Sequence, residues 1–335
     1  MKRAAVFRGL AAAGLFVLAP AIGMAQAAQV QVHDPVMAKE GNTYYVFSTG
    51  PGISFYSSQD MRNWRPEGRV FPHEPSWAKR VAPTFDGHVW APDIQHHNGK
   101  YYLYYSVSAF GKNTSAIGVT VNRTLDPRSP DYKWEDQGIV VQSVPQRDDW
   151  NAIDPNVIED GKGNAWMAFG SFWSGIKMFK LNADWTLPAE PQEWKTIAAR
   201  ENRQPDDIEA PFIFRKNGWY YLFVSWGLCC QKEKSTYHVA VGRSREVTGP
   251  FLDKEGRDMA KGGGTVVIRG DSAWKALGHN SAYTLGGKDY MVLHAYETSD
   301  KYVQKLKVLE MKWDAAGWPA VDPADLNRYQ SGQLQ

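Results

Sequence analysis

The sequence predicts an all-β protein, a five-bladed β-propeller, on the basis of three observations. The 335 residues include 30 Gly and 19 Pro, and 13% of them are aromatic, a composition typical of many short strands and turns. One two-strand pattern occurs five times along the chain. Helical periodicity extends no further than a turn or two, so the strand–helix alternation of a TIM barrel is missing.

The repeat consists of a short extended segment with proline, a polar turn and an aromatic-rich strand. Its copies occupy residues 32–48, 90–106, 153–169, 208–225 and 278–294. Each copy predicts two strands joined by a tight turn that contains Gly or Asn. We align the copies on one shared position, which holds Pro35, Pro92, Pro155, Pro211 and Ser281.

Further strand-like stretches follow the copies, at 53–57, 117–121, 176–181, 237–243 and 303–312. Most intervals therefore hold about four strands, and five four-stranded sheets closed in a ring make a five-bladed propeller. We predict that residues 28–335 form this single catalytic domain, with a short closing segment after Trp318.

Residues 1–27 are predicted to be a secretory signal peptide. A start with three positive charges precedes an apolar run at 9–24, and 25–27 reads A-Q-A, a small-residue cleavage site. An uncleaved membrane anchor is the disfavoured alternative, because the apolar run is short for a span. We expect an exported protein, periplasmic or secreted, with no membrane association after cleavage.

Charge and cysteine content exclude several classes of function. The formal net charge is +2, and no long basic run is present, so nucleic acid is not an expected partner. We expect a monomer. The only two cysteines, Cys229 and Cys230, are adjacent, which excludes a disulfide framework or a four-cysteine zinc site. In an exported protein they form either a vicinal disulfide or two free thiols.

The repeat also predicts where the functional side chains lie. The first strand of each propeller blade lines the central channel, so equivalent positions approach one another around the axis. The residues directly before the shared position are Asp34, Ala91, Asp154, Ala210 and Asn280. One place earlier stand His33, Trp90, Ile153, Glu209 and His279. Three carboxylates are therefore expected to converge. Because burying an ionised group is costly, Asp at these places has no obvious packing benefit, which favours a functional role.

The alternative is that each Asp before Pro only caps its own turn. This reading is weaker for three acids that recur at equivalent places than for one. Asp93, which follows Pro92, is expected to point elsewhere and to serve as a structural hydrogen-bonding acid.

Convergent carboxylates with abundant aromatic residues fit glycoside hydrolysis. One carboxylic acid protonates the leaving oxygen, and another, ionised, activates water. A third can raise the pKa of the acid through repulsion and hold it in place. Aromatic faces can stack on sugar rings.

The chain from about residue 29 to 315 resembles glycoside hydrolase family 43, and within it the endo-acting arabinanases. The resemblance rests on V-H-D-P-V at 32–36, W-A-P-D-I at 90–94, N-A-I-D-P-N at 151–156, G-S-F-W-S-G at 170–175, I-E-A-P-F-I at 208–213 and G-H-N-S at 278–281. It implies a five-bladed propeller that hydrolyses arabinan or arabino-oligosaccharides with inversion. Asp34 would be the general base, Glu209 the general acid and Asp154 the residue that tunes and orients the acid.

The same resemblance implies a substrate shell. Its members would be Trp90, Gly118, Asn151, Ala152, Ile153, Ser171, Phe172 and Trp173. Gly118 would let the backbone approach the ligand. Trp90 occupies the place in its copy that matches Glu209, which favours stacking at the channel mouth over burial in the core. Ordinary packing within the blade is the alternative for Phe172 and Trp173.

The family also implies a calcium ion near the axis, held by His279 and mostly by water. Calcium prefers oxygen ligands, so a core histidine with ordinary hydrogen bonds is the alternative. His33 is expected to be a hydrogen-bond partner of the base rather than a metal ligand.

Two other functions remain open from the sequence. One is an exo-acting arabinofuranosidase or β-xylosidase of the same family, which often carries an extra C-terminal domain. The chain ends about 40 residues after the fifth copy, which favours an open cleft and endo action. The other is a sugar-binding propeller without catalysis, which would not need all three acids.

Overall fold

The computed structural model describes Met1 and residues 29–200 and 206–333. Within these residues the chain forms five sheets arranged as the blades of a β-propeller. The fold predicted from the repeat is therefore confirmed. Apart from Met1, the predicted signal peptide lies outside the described residues.

Each blade has four strands in antiparallel order, and blades 1 and 2 carry one additional short strand each. Blade 1 contains Val36–Glu40, Thr43–Ser48, Ser54–Ser58, Asn63–Arg69 and the additional Gly332–Gln333. Blade 2 contains the additional Gly50–Pro51, then His88–His97, Lys100–Val107, Ser115–Asn122 and Glu135–Ser143. Blade 3 contains Asn156–Glu159, Ala165–Phe169, Ile176–Lys180 and Lys195–Ala198. Blade 4 contains Ile208–Lys216, Trp219–Trp226, His238–Ser244 and Thr265–Arg269. Blade 5 contains Trp274–Leu285, Lys288–Glu297, Val303–Trp313 and Pro319–Val321.

The helical segments in the described residues are single turns. They are Ala78–Val81, Lys232–Lys234, Met259–Lys261, Thr298–Asp300 and Asp325–Arg328. In the part of the chain that the structure covers, no helix has the length and apolar character needed to cross a membrane.

The aromatic-rich second strands are buried central strands of their blades. In Lys100–Val107 and Trp219–Trp226 every residue after the first is buried. A blade in a ring is covered on both faces by its neighbours, so its central strands read as continuous apolar runs rather than alternating ones. The third strand of each blade overlaps the stretch that the sequence predicted for it.

The first strands of the blades make a closed ring. Each contacts the first strand of the next blade, and the first strand of blade 5 contacts that of blade 1. Residues at equivalent places on these strands are thus brought around one axis, as the repeat predicted.

The ring closes through both ends of the described chain. Gly332–Gln333 pairs in parallel with Asn63–Arg69 of blade 1. On the other side, the amide of Leu306 in blade 5 donates to the carbonyl of Val30, at 3.0 Å. The chain after Trp318 thus contributes the last strand of blade 5 and an extra strand of blade 1.

A left-handed residue occurs at the same place in every blade, two residues before the first strand in blades 1 and 3 and within it in blades 2, 4 and 5. Positive φ angles of 50°, 45°, 58°, 55° and 48° occur at Asp34, Ala91, Asp154, Ala210 and His279. Side chains with a Cβ rarely adopt this conformation, so the surrounding structure must impose it.

This regularity corrects the alignment of the fifth copy. Gly278 pairs with His294 in the way that Glu209 pairs with Ser225, so Asn280, not Ser281, occupies the shared position. His279 is therefore equivalent to Asp34, not to Glu209. Blade 5 has no proline to mark the position, and the sequence alignment consequently slipped by one residue.

Candidate active site

The inner ends of the blades open onto one cleft of about 730 Å³. Residues from all five blades line it, among them Asp34, Trp90, Asp154, Glu209 and His279. The structure thus brings together the three carboxylates that the repeat predicted to converge. Each comes from a different blade, so their meeting depends on closure of the ring.

Asp34 lies in a dense set of hydrogen bonds. Its Oδ1 is 2.9 Å from Nδ1 of His33 and 3.0 Å from Nδ1 of His279, while the Thr49 hydroxyl donates to Oδ2 at 2.5 Å. Burial acts to raise the pKa of Asp34, but the two histidines outweigh it and hold the pKa well below its ordinary value. Asp34 is therefore ionised at neutral pH, and His33 is its hydrogen-bond partner, as expected.

Asp154 has the opposite electrostatics. Burial raises its pKa well above the ordinary value, the charges of Glu209 and Asp34 add to the effect, and His279 opposes it. Its Oδ2 accepts a hydrogen bond from the amide of Ala210, at 3.1 Å. That amide directly follows Glu209, so Asp154 holds the backbone that carries the third acid.

Glu209 is anchored by the chain segment that follows the second strand of blade 3. The Ser171 hydroxyl donates to Oε2 of Glu209 at 2.7 Å. Ser171 and Glu209 also form an isolated β-bridge, and the amide of Phe172 donates to the carbonyl of Ile208 at 2.8 Å. One oxygen of Glu209 is thus fixed, and its side chain is only half-buried in the cleft.

The family model for glycosyl hydrolases family 43 matches residues 28–319, which include all three acids. The chain belongs to glycosyl hydrolase family 43. It is therefore a glycoside hydrolase, and the alternative of a sugar-binding propeller without catalysis is excluded.

Individual relatives agree with this assignment. The chain is 64% identical to an extracellular exo-α-(1→5)-L-arabinofuranosidase of Cellvibrio japonicus, over 92% of this chain and 91% of that protein. It is 41% identical to an extracellular endo-α-(1→5)-L-arabinanase of Bacillus subtilis, over 86% and 87%. A solved Cellvibrio cellulosa α-L-arabinanase in complex with arabinohexaose shares 63% identity and superimposes with a TM-score of 0.90, covering 92% of this chain and all of that one. The two curated relatives are named extracellular, which supports the export that residues 1–27 predict.

Most of the predicted substrate shell lies on the cleft. Trp90, Asn151, Ile153, Ser171, Phe172 and Trp173 line it together with the acids. Phe172 and Trp173 both have positive φ, and Trp173 is 40% exposed, so they are not ordinary packing residues within a blade.

Two predicted members of the shell lie elsewhere. A Cβ on Gly118 would come within 2.6 Å of the Trp77 ring and 2.7 Å of the Tyr105 ring, so the glycine makes room for core aromatics rather than for a ligand. Ala152 is fully buried in the apolar core beside the cleft. Ala152 was misplaced because it alternates with Asn151 and Ile153, which line the cleft, and Gly118 because its whole strand, Ser115–Asn122, lies away from the cleft.

Asp93 is the structural acid that the sequence predicted. It is buried, it accepts from the amide of Val157 at 2.8 Å, and it does not line the cleft. Burial raises its pKa to about 6, against the effect of its hydrogen bonds.

Sequence reasoning missed a ring of hydrogen bonds between blades. The backbone amide of each left-handed residue donates a hydrogen bond to a side chain of the preceding blade. The pairs are Ala91 to Thr49, Asp154 to Ser106, Ala210 to Asp154, His279 to Ser225 and Asp34 to His294, at 2.7–3.1 Å. In blade 3 the equivalent acceptor position is Gly170, whose amide pairs with Ile153, and Asp154 accepts instead. The signal was a hydroxyl residue at the end of three second strands: Thr49, Ser106 and Ser225.

His294 is the acceptor in blade 5, and it is fully buried. Its Nδ1 accepts from the amide of Asp34, so that nitrogen carries no proton. Burial, with the positive field of His33, holds the pKa of His294 well below its ordinary value, in agreement with a neutral ring.

His279 lies beside the three acids of the cleft. Its Nδ1 faces Asp34, and its ring lines the cleft. Burial opposes a charge on this ring, but Asp34, Asp154 and Glu209 together raise its pKa to about 9, so positive charge is favoured there. Among the described residues, the clusters with metal-ligand spacing do not include His279, and a metal there would take its remaining ligands from water.

Cys229 and Cys230 form a disulfide between neighbouring residues, which is one of the two states left open by the sequence. Both line the cleft.

Proposed function

We propose that this family 43 enzyme hydrolyses α-1,5-L-arabinofuranosidic bonds of arabinan and arabino-oligosaccharides by a single displacement with inversion. The observation that carries the proposal is the meeting of Asp34, Asp154 and Glu209 on one cleft. The substrate class is supported by the names of the relatives and by the relative solved with arabinohexaose.

In this mechanism Asp34 is the general base. Its ionised carboxylate accepts a proton from the water that attacks the anomeric carbon. Three hydrogen-bond donors, His33, Thr49 and His279, hold the carboxylate in place, so the attacking water meets a base that is already oriented.

Glu209 is assigned as the general acid, which protonates the leaving oxygen. Burial raises the pKa of Asp154, and the charges of Glu209 and Asp34 add to that effect, so Asp154 favours its protonated form. Asp154 is buried, whereas Glu209 is half-buried on the cleft, so Glu209 is the carboxyl that can reach the leaving oxygen. Asp154 orients the acid through the amide of Ala210.

The mode of attack has two candidates. The sequence analysis favours cleavage of internal bonds, and the 41% identical relative is named for endo action. The 64% identical relative is named for exo action. Because the relative with the greater identity is named for exo action, we place release from a chain end first and internal cleavage second.

A time course of products from linear arabinan tests both the activity and its mode. Release of one short product from the start indicates exo action, and early mixed oligosaccharides indicate endo action. Asp34→Asn and Glu209→Gln serve as controls, and each is expected to abolish hydrolysis while the fold survives. Equal activity on xylan, or full activity in either variant, contradicts the proposal.

We also propose that a calcium ion binds Nε2 of His279 and otherwise water. The support is geometric, because the ring lines the cleft together with the three acids and its Nδ1 faces Asp34, which leaves Nε2 for an ion. The ion would supply a fixed positive charge near the axis.

A further inference from the structure

The Cys229–Cys230 disulfide forms part of the cleft wall but has no part in the mechanism. Cys230 is exposed and Cys229 half-buried, and Leu228 and Gln231 continue the same wall. The disulfide has no proton to donate, and its sulfur atoms are at most weak acceptors. Its place on the cleft therefore calls for an explanation other than acid–base chemistry.

The disulfide lies next to the base. Sγ of Cys230 is 3.9 Å from Nε2 of His33, and Nδ1 of the same ring is 2.9 Å from Oδ1 of Asp34. The hydroxyl of Tyr296 also lies 3.9 Å from this sulfur. One imidazole ring thus separates the disulfide from the carboxylate that activates water, so a sugar in reach of Asp34 is also close to the sulfur atoms.

The surrounding loop holds the disulfide in a defined place. The amide of Leu228 donates to the Thr236 hydroxyl at 3.0 Å, and the amide of Gln231 donates to the Ser235 hydroxyl at 3.0 Å. Cys229 packs against a buried cluster that contains Tyr237 and Tyr296. Two cross-linked adjacent side chains also have little rotamer freedom, so contact with them costs little side-chain entropy.

We propose that the Cys229–Cys230 disulfide is a rigid apolar binding surface for the C–H face of one furanose ring, in the sugar position beside Asp34. This inference rests on the proposed function. Sulfur is polarizable and packs well against carbon, and the hydroxyl groups of the sugar remain free to bond elsewhere. The role is in substrate binding, and the proton transfers stay with the acids.

The test compares Cys229→Ser/Cys230→Ser and Cys229→Ala/Cys230→Ala with the wild type. Calorimetric binding of arabinohexaose is measured in a Glu209→Gln background, which does not turn the ligand over. We expect the serine pair to weaken binding by roughly tenfold and the alanine pair by less, because alanine keeps an apolar surface. In the catalytically competent enzymes KM on arabino-oligosaccharides is expected to rise by a similar factor, with kcat changed by less than about twofold.

Lys234→Ala is the matched control, since Lys234 is exposed in the same loop and does not line the cleft. It is expected to bind arabinohexaose as the parent does. Reduction of the wild type with excess phosphine should raise KM by less than the serine pair does, because the two thiols lose the rigid ring but stay apolar, and it should leave the serine pair itself unaffected. The reduction arm keeps the proposal testable if the double variants fail to fold.

Unchanged affinity in both double variants overturns the proposal. A fall in kcat and in thermal midpoint without a rise in KM also overturns it, because that result would mean that the disulfide stabilises the fold and does not bind substrate. If the wild type itself does not cleave arabinan, it is the proposed function that fails, and arabinohexaose binding still reports on the disulfide.

Discussion

At the scale of single residues, the environment gives two aspartates opposite protonation states. Asp34 is surrounded by donors, and its pKa is well below the ordinary value. Asp154 is equally buried but faces other carboxylates, and its pKa is raised. Such a separation allows a base and a proton reservoir to operate in one cleft at the same pH.

Asp154→Asn tests the electrostatic role of Asp154 apart from its orienting contact. Asparagine keeps an oxygen for the amide of Ala210 but has no ionisable carboxyl group. We expect kcat to fall by about 10²–10⁴-fold, with a smaller change in KM. Steady-state kinetics on arabino-oligosaccharides measure this, and activity within twofold of the wild type would refute the role.

Calcium at His279 predicts a response to chelation. Thorough treatment with a chelator should lower the thermal midpoint of the wild type, and added calcium should restore it. His279→Ala should abolish this response, because alanine offers no ligand atom to the ion. An unaltered melting curve after chelation would leave His279 as a hydrogen-bonding partner of Asp34 alone.

At the scale of elements, the first strand of each blade is defined by its left-handed residue. The amide at that residue cannot join the strand ladder of its own blade, and it donates to the preceding blade instead. The same irregularity therefore joins the blades and directs Asp34 and Asp154 toward the cleft.

Ser106→Ala removes one acceptor from this ring. Ser106 is fully buried, so the amide of Asp154 would lose its partner without access to water. We expect a loss of about 1–3 kcal/mol in the free energy of unfolding. In the control Ser129→Ala, the lost acceptor serves an exposed turn, where water replaces it. Equal stability of the two variants in urea would contradict the argument.

The turn between the first two strands of blade 3 predicts a dependence of stability on pH. Asp160 accepts from the amides of Lys162 and Asn164 and from the Trp166 indole. Burial acts to raise its pKa, but these hydrogen bonds outweigh it and lower the pKa to about 2. Because its pKa is lower in the folded than in the unfolded chain, Asp160 stabilises the folded state at pH values above 3.8, its unfolded pKa. This stabilisation disappears as the pH falls toward 2.

Asp160→Ala should therefore cost about 1 kcal/mol at pH 7, after allowance for solvent screening. The difference from the wild type should narrow between pH 4 and pH 3, as urea unfolding at each pH would measure. A difference that does not vary with pH would show that the ionised carboxylate is not the stabilising form.

At the scale of the whole molecule, ring closure is what creates the active site. The three acids come from blades 1, 3 and 4, and His279 comes from blade 5. Closure depends on the terminal segments, where the amide of Gly332 donates to the carbonyl of Arg62 and the Ser331 hydroxyl accepts from the amide of Val30.

Deletion of residues 331–335 should lower the thermal midpoint by roughly 5 °C, since it removes a few hydrogen bonds of about 1 kcal/mol each. A chain that stops at Gln333 keeps this strand and is the control. Calorimetry would reject the role of the segment if both truncated chains melted together.

Most of the fold could be predicted, because each part of the repeat can be recognised from residues that are neighbours in the sequence. Proline, a polar turn and an aromatic strand each have local physical causes, and Pro35, Pro92, Pro155 and Pro211 mark the same place in four blades. The fifth blade lacks the proline, and there the alignment missed by one residue. Ala152 was misplaced because no local pattern distinguishes the cleft side of a segment from its core side, and Gly118 because no local pattern shows that its strand lies away from the cleft.

The number of blades and the three acids followed from the repeat, because each copy carries its own local pattern around the shared position. The electrostatics of the acids, the ring of hydrogen bonds between blades and the place of the disulfide beside Asp34 became visible only in the folded molecule. Those properties arise from contacts between residues up to 260 positions apart, such as Asp34 and His294, and no local pattern encodes contacts at that range.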